Sequence, residues 1–142
     1  MSSFTENLIV SPLKDGKKWV VRKEFFYEVG FEGSGDIVVV PVGFITDFTS
    51  VPKLFWGIFP KWDRYGKASV VHDYLYYSHE KTQEEADYIF YEGMIVLGVE
   101  EYKAKMLYAA VKVFGKSRYN EPKSLIMSHL GNNIEIPDMK KL

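Results

Sequence analysis

The spacing of apolar positions divides the chain into a β-patterned first third and a helical middle. Leu8-Ile9-Val10 stops at Ser11-Pro12, and Asp15-Gly16 predicts a turn before a second run over 17–29. Within that run Trp19, Val21, Phe25, Tyr27 and Val29 fall on odd positions, the two-residue period of a strand with one buried face. The Gly- and Ser-rich stretch 30–35 turns the chain. Ile37-Val38-Val39-Val40 then reads as a strand buried on both faces, stopped by Pro41. A meander of three or four antiparallel strands is expected.

After Phe44 the period changes. Ser50-Val51-Pro52 is a helix start signal ahead of a short helix over 53–59, which Pro60 ends. A first long helix is predicted over 67–78. Thr82 opens a second, and Glu85 three residues later completes a capping box. Its apolar stripe is Ala86, Ile89, Phe90, Met94 and Leu97, closed by Gly98. A third helix is predicted over 100–114 with Met106, Ala109, Ala110 and Val113 turned inward and Gly115 as its stop. From 116 onward the expectation is an extended tail along the domain, with one strand near 134–136. The predicted class is α+β: a small N-terminal antiparallel β-meander packed with a helical hairpin plus further helices. One domain covers 1–142, β-rich over 1–45, helical over 50–115 and extended over 116–142.

Composition narrows the functions. A length of 142 residues with 46% hydrophobic and 16% aromatic content supports one hydrophobic core. Eighteen basic and 19 acidic side chains leave a formal charge of −1, so nucleic-acid binding by counterion release is not expected. Without cysteine there is no disulfide and no cysteine-ligated metal, which fits a reducing compartment. The N-terminus lacks the basic start and apolar segment of a secretory signal, and no apolar run approaches the roughly 20 residues of a transmembrane helix. Phosphate-loop, dinucleotide, H-E-x-x-H and G-x-S-x-G motifs are missing as well.

The candidate chemistry lies on the first two long helices. Ala68, His72, Leu75, Tyr76 and His79 share one face of the first, while Asp73 points about 100° further round. On the second helix Asp87 joins the stripe of Phe90, Tyr91 and Met94, where a carboxylate is costly unless paired. A short connection makes the helices an antiparallel hairpin, so His72 and Asp87 come level. The pair has two readings. An Asp that takes one imidazole N–H fixes the tautomer and makes the other nitrogen a general base, or the pair simply pins two helices together. Asp73, rotated outward, is a candidate ligand for a divalent cation. Asp47, in the polar cluster 43–52, is a second candidate ligand, a group that orients His72, or a turn residue. His79 is expected to cap its own helix's C-terminus, and His129 is assigned no role.

The string Val42-Gly43-Phe44-Ile45-Thr46-Asp47-Phe48-Thr49-Ser50-Val51-Pro52, followed by Val71-His72-Asp73-Tyr74-Leu75-Tyr76, Ala86-Asp87-Tyr88-Ile89-Phe90 and Gly93-Met94, resembles a family of small phage and prophage proteins. That family, domain of unknown function 1353, implies a phage-encoded protein and brings no activity with it. More distantly, His72-Asp73, Tyr76, Ala86-Asp87 and Phe90 resemble the helix pair of phospholipases A2. That resemblance implies His72 as base, Asp73 as calcium ligand, Asp87 as the group orienting His72, and Tyr76 as a supporting hydroxyl. The chain departs from that family upstream, where 59–66 holds one glycine instead of a glycine-rich calcium loop. It departs from His-Asp phosphohydrolases too, since no histidine precedes His72.

Three functions follow as expectations. The first is a metal-assisted hydrolase with His72, Asp87 and Tyr76 in catalysis, Asp73 and Asp47 at a divalent metal ion, and Tyr74, Tyr77 and Trp56 at the substrate. The second is a virion or tail component, or a binder of a phage or host protein, without catalysis. The third is a small-molecule binder using the same three aromatics. The expected location is the host cytoplasm or the virion.

Overall fold

The computed structural model describes residues 3–4, 7–16, 18–46 and 65–120. The helix expected over 53–59, the strand near 134–136, Asp47, Trp56 and His129 lie outside the described residues. Six strands precede four helices: β1 (Ser3–Phe4), β2 (Val10–Pro12), β3 (Trp19–Val21), β4 (Phe25–Glu28), β5 (Ile37–Val40), β6 (Ile45–Thr46), α1 (Gly66–Ser78), α2 (Gln83–Val96), α3 (Glu101–Phe114) and α4 (Lys116–Tyr119). The class is α+β.

The expected single meander is instead two three-stranded antiparallel sheets, ordered β1-β4-β5 and β2-β3-β6. The run over 17–29 is broken at 22–24, so that β3 joins one sheet and β4 the other. Alternation survives the break because three residues intervene and parity is kept: Val21, Phe25 and Tyr27 are all buried. In the β4–β5 ladder Phe25 pairs with Val40 and Tyr27 with Val38, so four buried side chains share one face. β5 departs from expectation. Val38 and Val40 are buried but Ile37 is exposed, so this strand has a single core face.

The hairpin is closed by side-chain carboxylates. Gly30, Gly33 and Gly35 take positive φ, a backbone region that glycine enters without a Cβ penalty. Glu28 accepts from the amides of Gly33 and Gly35 at 2.6 and 3.2 Å. Glu92 of α2 accepts from the Tyr27 hydroxyl at 2.5 Å and the Gly30 amide at 2.9 Å, which ties the hairpin to the helices. Lys81 donates to both oxygens of Asp36 at 2.9 Å.

α1 is the central helix. It touches α2, α4, β5 and β6, and every residue from Ala68 to Asp73 is buried. A helix covered on several sides buries its whole circumference, so Asp73 is inside and not rotated outward as expected. α2 starts with the predicted capping box of Thr82 and Glu85, and Gly98 follows it at φ 83°. Close approach of α1 and α2 depends on Gly93, where a Cβ would stand 3.1 Å from that of Ala68. α3 packs on α2 through Ala104, Leu107, Ala110 and Val111. Of the residues expected to face inward, only Ala110 does; Met106, Ala109 and Val113 are exposed. After Gly115 the chain forms α4 where an extended tail was expected. No helix among the described residues is long and apolar enough to cross a membrane.

Glu92→Ala removes the acceptor shared by Tyr27 and Gly30. A loss of about 1–2 kcal/mol is expected in urea unfolding, the range for losing one part-buried hydrogen bond to a charged acceptor and one exposed one, and Glu92→Gln should recover part of it.

Candidate functional site

α1 and α2 are joined by four residues, 79–82. Ala68 lies against Gly93 at the far end of the pair, while His72 and Tyr76 meet Asp87 nearer the connection. That order of contacts is the antiparallel hairpin read from the sequence. Spacing of four residues on α1 stacks His72 under Tyr76, with ring centroids 4.2 Å apart, and Phe90 of α2 closes the other side of the imidazole at 4.9 Å.

Asp87 joins these groups. Its Oδ1 lies 2.7 Å from His72 Nε2 and accepts the Tyr76 hydroxyl at 2.5 Å. An ionised carboxylate only accepts, so Nε2 carries the proton it shares with Asp87. His72 and Asp87 are each 1% exposed. Burial, followed by the hydrogen bond to Asp87 and the charge of that carboxylate, pushes the Tyr76 phenol far above its usual range, while Gln83 and Arg118 act weakly in the opposite sense.

Asp73 sits on a different side of α1, 6% exposed. Its Oδ2 accepts the Thr46 hydroxyl at 2.6 Å and its Oδ1 lies 3.2 Å from the Arg118 guanidinium. Thr46 belongs to β6 and Arg118 to α4, so Asp73 binds both elements to the central helix. Arg118 also lies over the Tyr76 ring at 5.8 Å, and Tyr119 meets that ring edge-on at 5.4 Å. A cation at Asp73 would need several more oxygens. Instead the described residues offer a guanidinium there, and they contain no group of three or more His, Cys, Asp or Glu that could hold a metal. Asp47, the other candidate ligand, lies outside the described residues.

The remaining predicted residues lie elsewhere. Tyr74 and Tyr77 flank Phe44, at ring distances of 5.4 and 5.9 Å, on the β6 side of α1. Tyr74 donates to Glu80 at 2.9 Å, and burial followed by that hydrogen bond pushes its phenol up to about 12. The two tyrosines are not brought to His72. His79 is the C-cap of α1 in the left-handed region, φ 56°, but its ring serves another element: Nε2 donates to the Tyr119 carbonyl at 2.8 Å and the ring stacks on Tyr119. Sequence reasoning missed Arg118, Tyr119 and Thr46. Only Thr46 carried a signal, its place in the polar cluster before Asp47.

The family model for proteins of unknown function, DUF1353, matches residues 19–111, which takes in both sheets' inner strands and the whole helical hairpin. The chain belongs to the DUF1353 family. Two uncharacterized proteins of Sinorhizobium fredii (strain NBRC 101917 / NGR234) are similar to it. One, y4jT, is 41% identical over 78 residues, 54% of this chain and 23% of its own. The other, y4iH, is 41% identical over 73 residues, 49% of this chain and 30% of its own. The chain thus spans under a third of the length of these curated relatives. No solved structure matches it.

Gly115 tests how tightly the site is built. A Cβ there would overlap the Tyr76 hydroxyl and the Val111 carbonyl. Gly115→Ala should therefore displace Tyr76 from Asp87 and cost about 1–3 kcal/mol, the usual range for overpacking, read as a lower denaturation midpoint. A pH series tests the phenols. Both are raised above the unfolded value near 10, so the stability they contribute is complete below that pH. It is lost as pH climbs through 10 to about 12 for Tyr74, and beyond for Tyr76. Tyr74→Phe should flatten the alkaline fall in melting temperature between those pH values.

Proposed function

We propose that this DUF1353 domain is a hydrolase in which His72 acts as general base, held by Asp87 and steadied by Tyr76. One observation carries the reading: a single buried carboxylate oxygen accepts from both the imidazole Nε2 and the tyrosine hydroxyl. That arrangement selects the tautomer with its lone pair on Nδ1 and places a fixed negative charge behind the imidazolium formed when a water gives up its proton. Tyr76 holds the carboxylate's orientation through the second bond. An ester or phosphoester of a lipid is the proposed substrate class, on the resemblance of the His72-Asp73-Tyr76 and Asp87 pattern to phospholipases A2. A phage or prophage origin, with action in the host cytoplasm or from the virion, is the matching proposal for its setting.

The depth of burial favours a second reading. With His72 and Asp87 each at 1% exposure, the trio also serves as a polar pin between α1 and α2. In that case the chain is an interaction protein without catalysis.

The test is His72→Gln, whose amide keeps a donor for Asp87 but supplies no base. Hydrolysis of a panel of phospholipids and simple esters by the unaltered chain, lost by at least ~10²-fold in His72→Gln with the melting temperature kept within a few degrees, supports catalysis. An unaltered chain inert on the whole panel, or a His72→Gln variant as active as its parent, leaves the pin as the function of the trio.

A further inference from the structure

α3 carries two apolar faces and buries one. Ala104, Leu107, Ala110 and Val111 pack inward. Tyr102, Met106, Ala109 and Val113, at spacings of four, three and four, form a second stripe within a narrow arc of the same helix. That stripe faces solvent: Tyr102 is 59%, Met106 43% and Val113 71% exposed, and Ala109 is exposed between them. Scattered single apolar residues are ordinary on a surface, but a stripe along a whole helix marks an interaction site.

We infer that α3 is the contact helix of a two-fold, antiparallel homodimer. Two properties of the stripe select a second copy of this chain. Side-chain sizes are self-complementary under reversal: Tyr102 comes opposite the partner's Val113, and Met106 opposite the partner's Ala109, a large group facing a smaller one each time. The charges are complementary as well. Glu100 and Glu101 sit at the start of α3, Lys112 near its end and Lys116 just beyond. Reversal puts the acidic end of each helix beside the basic end of the other, and a parallel pair would put like ends together. Glu101 and Lys112 flank the stripe on the same side, so a two-fold axis crossing the helix brings Glu101 alongside the partner's Lys112. The intrahelical pair that Glu101 makes with Lys105, at 2.9 Å, is more than 60% exposed on both sides and offers little resistance to sharing.

One 14-residue helix covers less than the roughly 800 Å² per partner of a standard stable interface, so the dimer forms and separates with concentration. The inference is independent of any role for His72.

Sedimentation velocity on the full chain, from ~1 µM to ~1 mM, spans the range in which such a contact is populated. The weight-average mass should climb from that of a monomer toward that of a dimer. Glu101→Lys and Lys112→Glu, each alone, set like charges against each other twice and should weaken association by at least about tenfold. Mixing these two variants restores opposite charges at both contacts and should restore dimers, while Met106→Glu should stay monomeric. All these positions are exposed, so unchanged melting curves are expected and separate lost association from lost folding. A monomer across the whole range overturns the inference, and so does a dimer that survives Met106→Glu. Failure of the mixed variants to associate overturns the antiparallel arrangement.

Discussion

The Asp87 carboxylate is the constraint on which the helical half of the molecule depends. A buried acid is tolerated only when donors reach it, and the two that do, His72 Nε2 and the Tyr76 hydroxyl, both come from α1. Rotation of α1 relative to α2 is thereby fixed to the face those two residues share. The rest of the packing conforms. Gly93 gives Ala68 room at the far end, Phe90 covers the imidazole, and Gly115 gives the Tyr76 hydroxyl its place. Removing the acid would take away the acceptor that both donors share, which is why the trio is as much an assembly device as a catalytic proposal.

Asp73 plays the same part toward the opposite side. With Thr46 on one oxygen and Arg118 near the other, a second buried acid ties β6 and α4 to the central helix. Neighbours in sequence, His72 and Asp73 point to different sides of α1 and serve different elements. The adjacency that makes a His-Asp dipeptide look like one site is, in this fold, two junctions back to back. Arg118 then links them, because its guanidinium bonds Asp73 and lies over the ring of Tyr76.

Much of this was legible where the governing interaction is local. The capping box of Thr82 and Glu85 needs only three residues of separation, and a four-residue connection leaves the hairpin no alternative to bringing His72 level with Asp87. What was not legible depends on partners distant in sequence. No periodicity announces that α1 is covered by β5, β6, α2 and α4 together, so Asp73 read as solvent-facing. The break at 22–24 is invisible to an alternation that keeps its parity across three residues. α3 is apolar on two faces, and Met106 and Val113 read as well as Leu107 and Val111; the buried face is the one that meets Phe90 and Met94 of α2. Arg118 and Tyr119 sit 45 and 40 residues from Asp73 and His79, which they bind.

The same two-faced composition explains why α3 is the element through which this small fold can acquire a partner. α1 has no surface to spare, and α2 commits Glu92 to the hairpin and Asp87 to α1. The sheets' inner faces are spent on the core. Among the described elements, α3 carries an exposed apolar stripe with opposite charges at its two ends, and burying that stripe removes from water side chains that the core does not use. Association through α3 would leave the α1–α2 pair untouched. On the proposed arrangement this chain would assemble through one helix while the polar trio keeps its geometry, so the contact helix and the trio would be open to independent change.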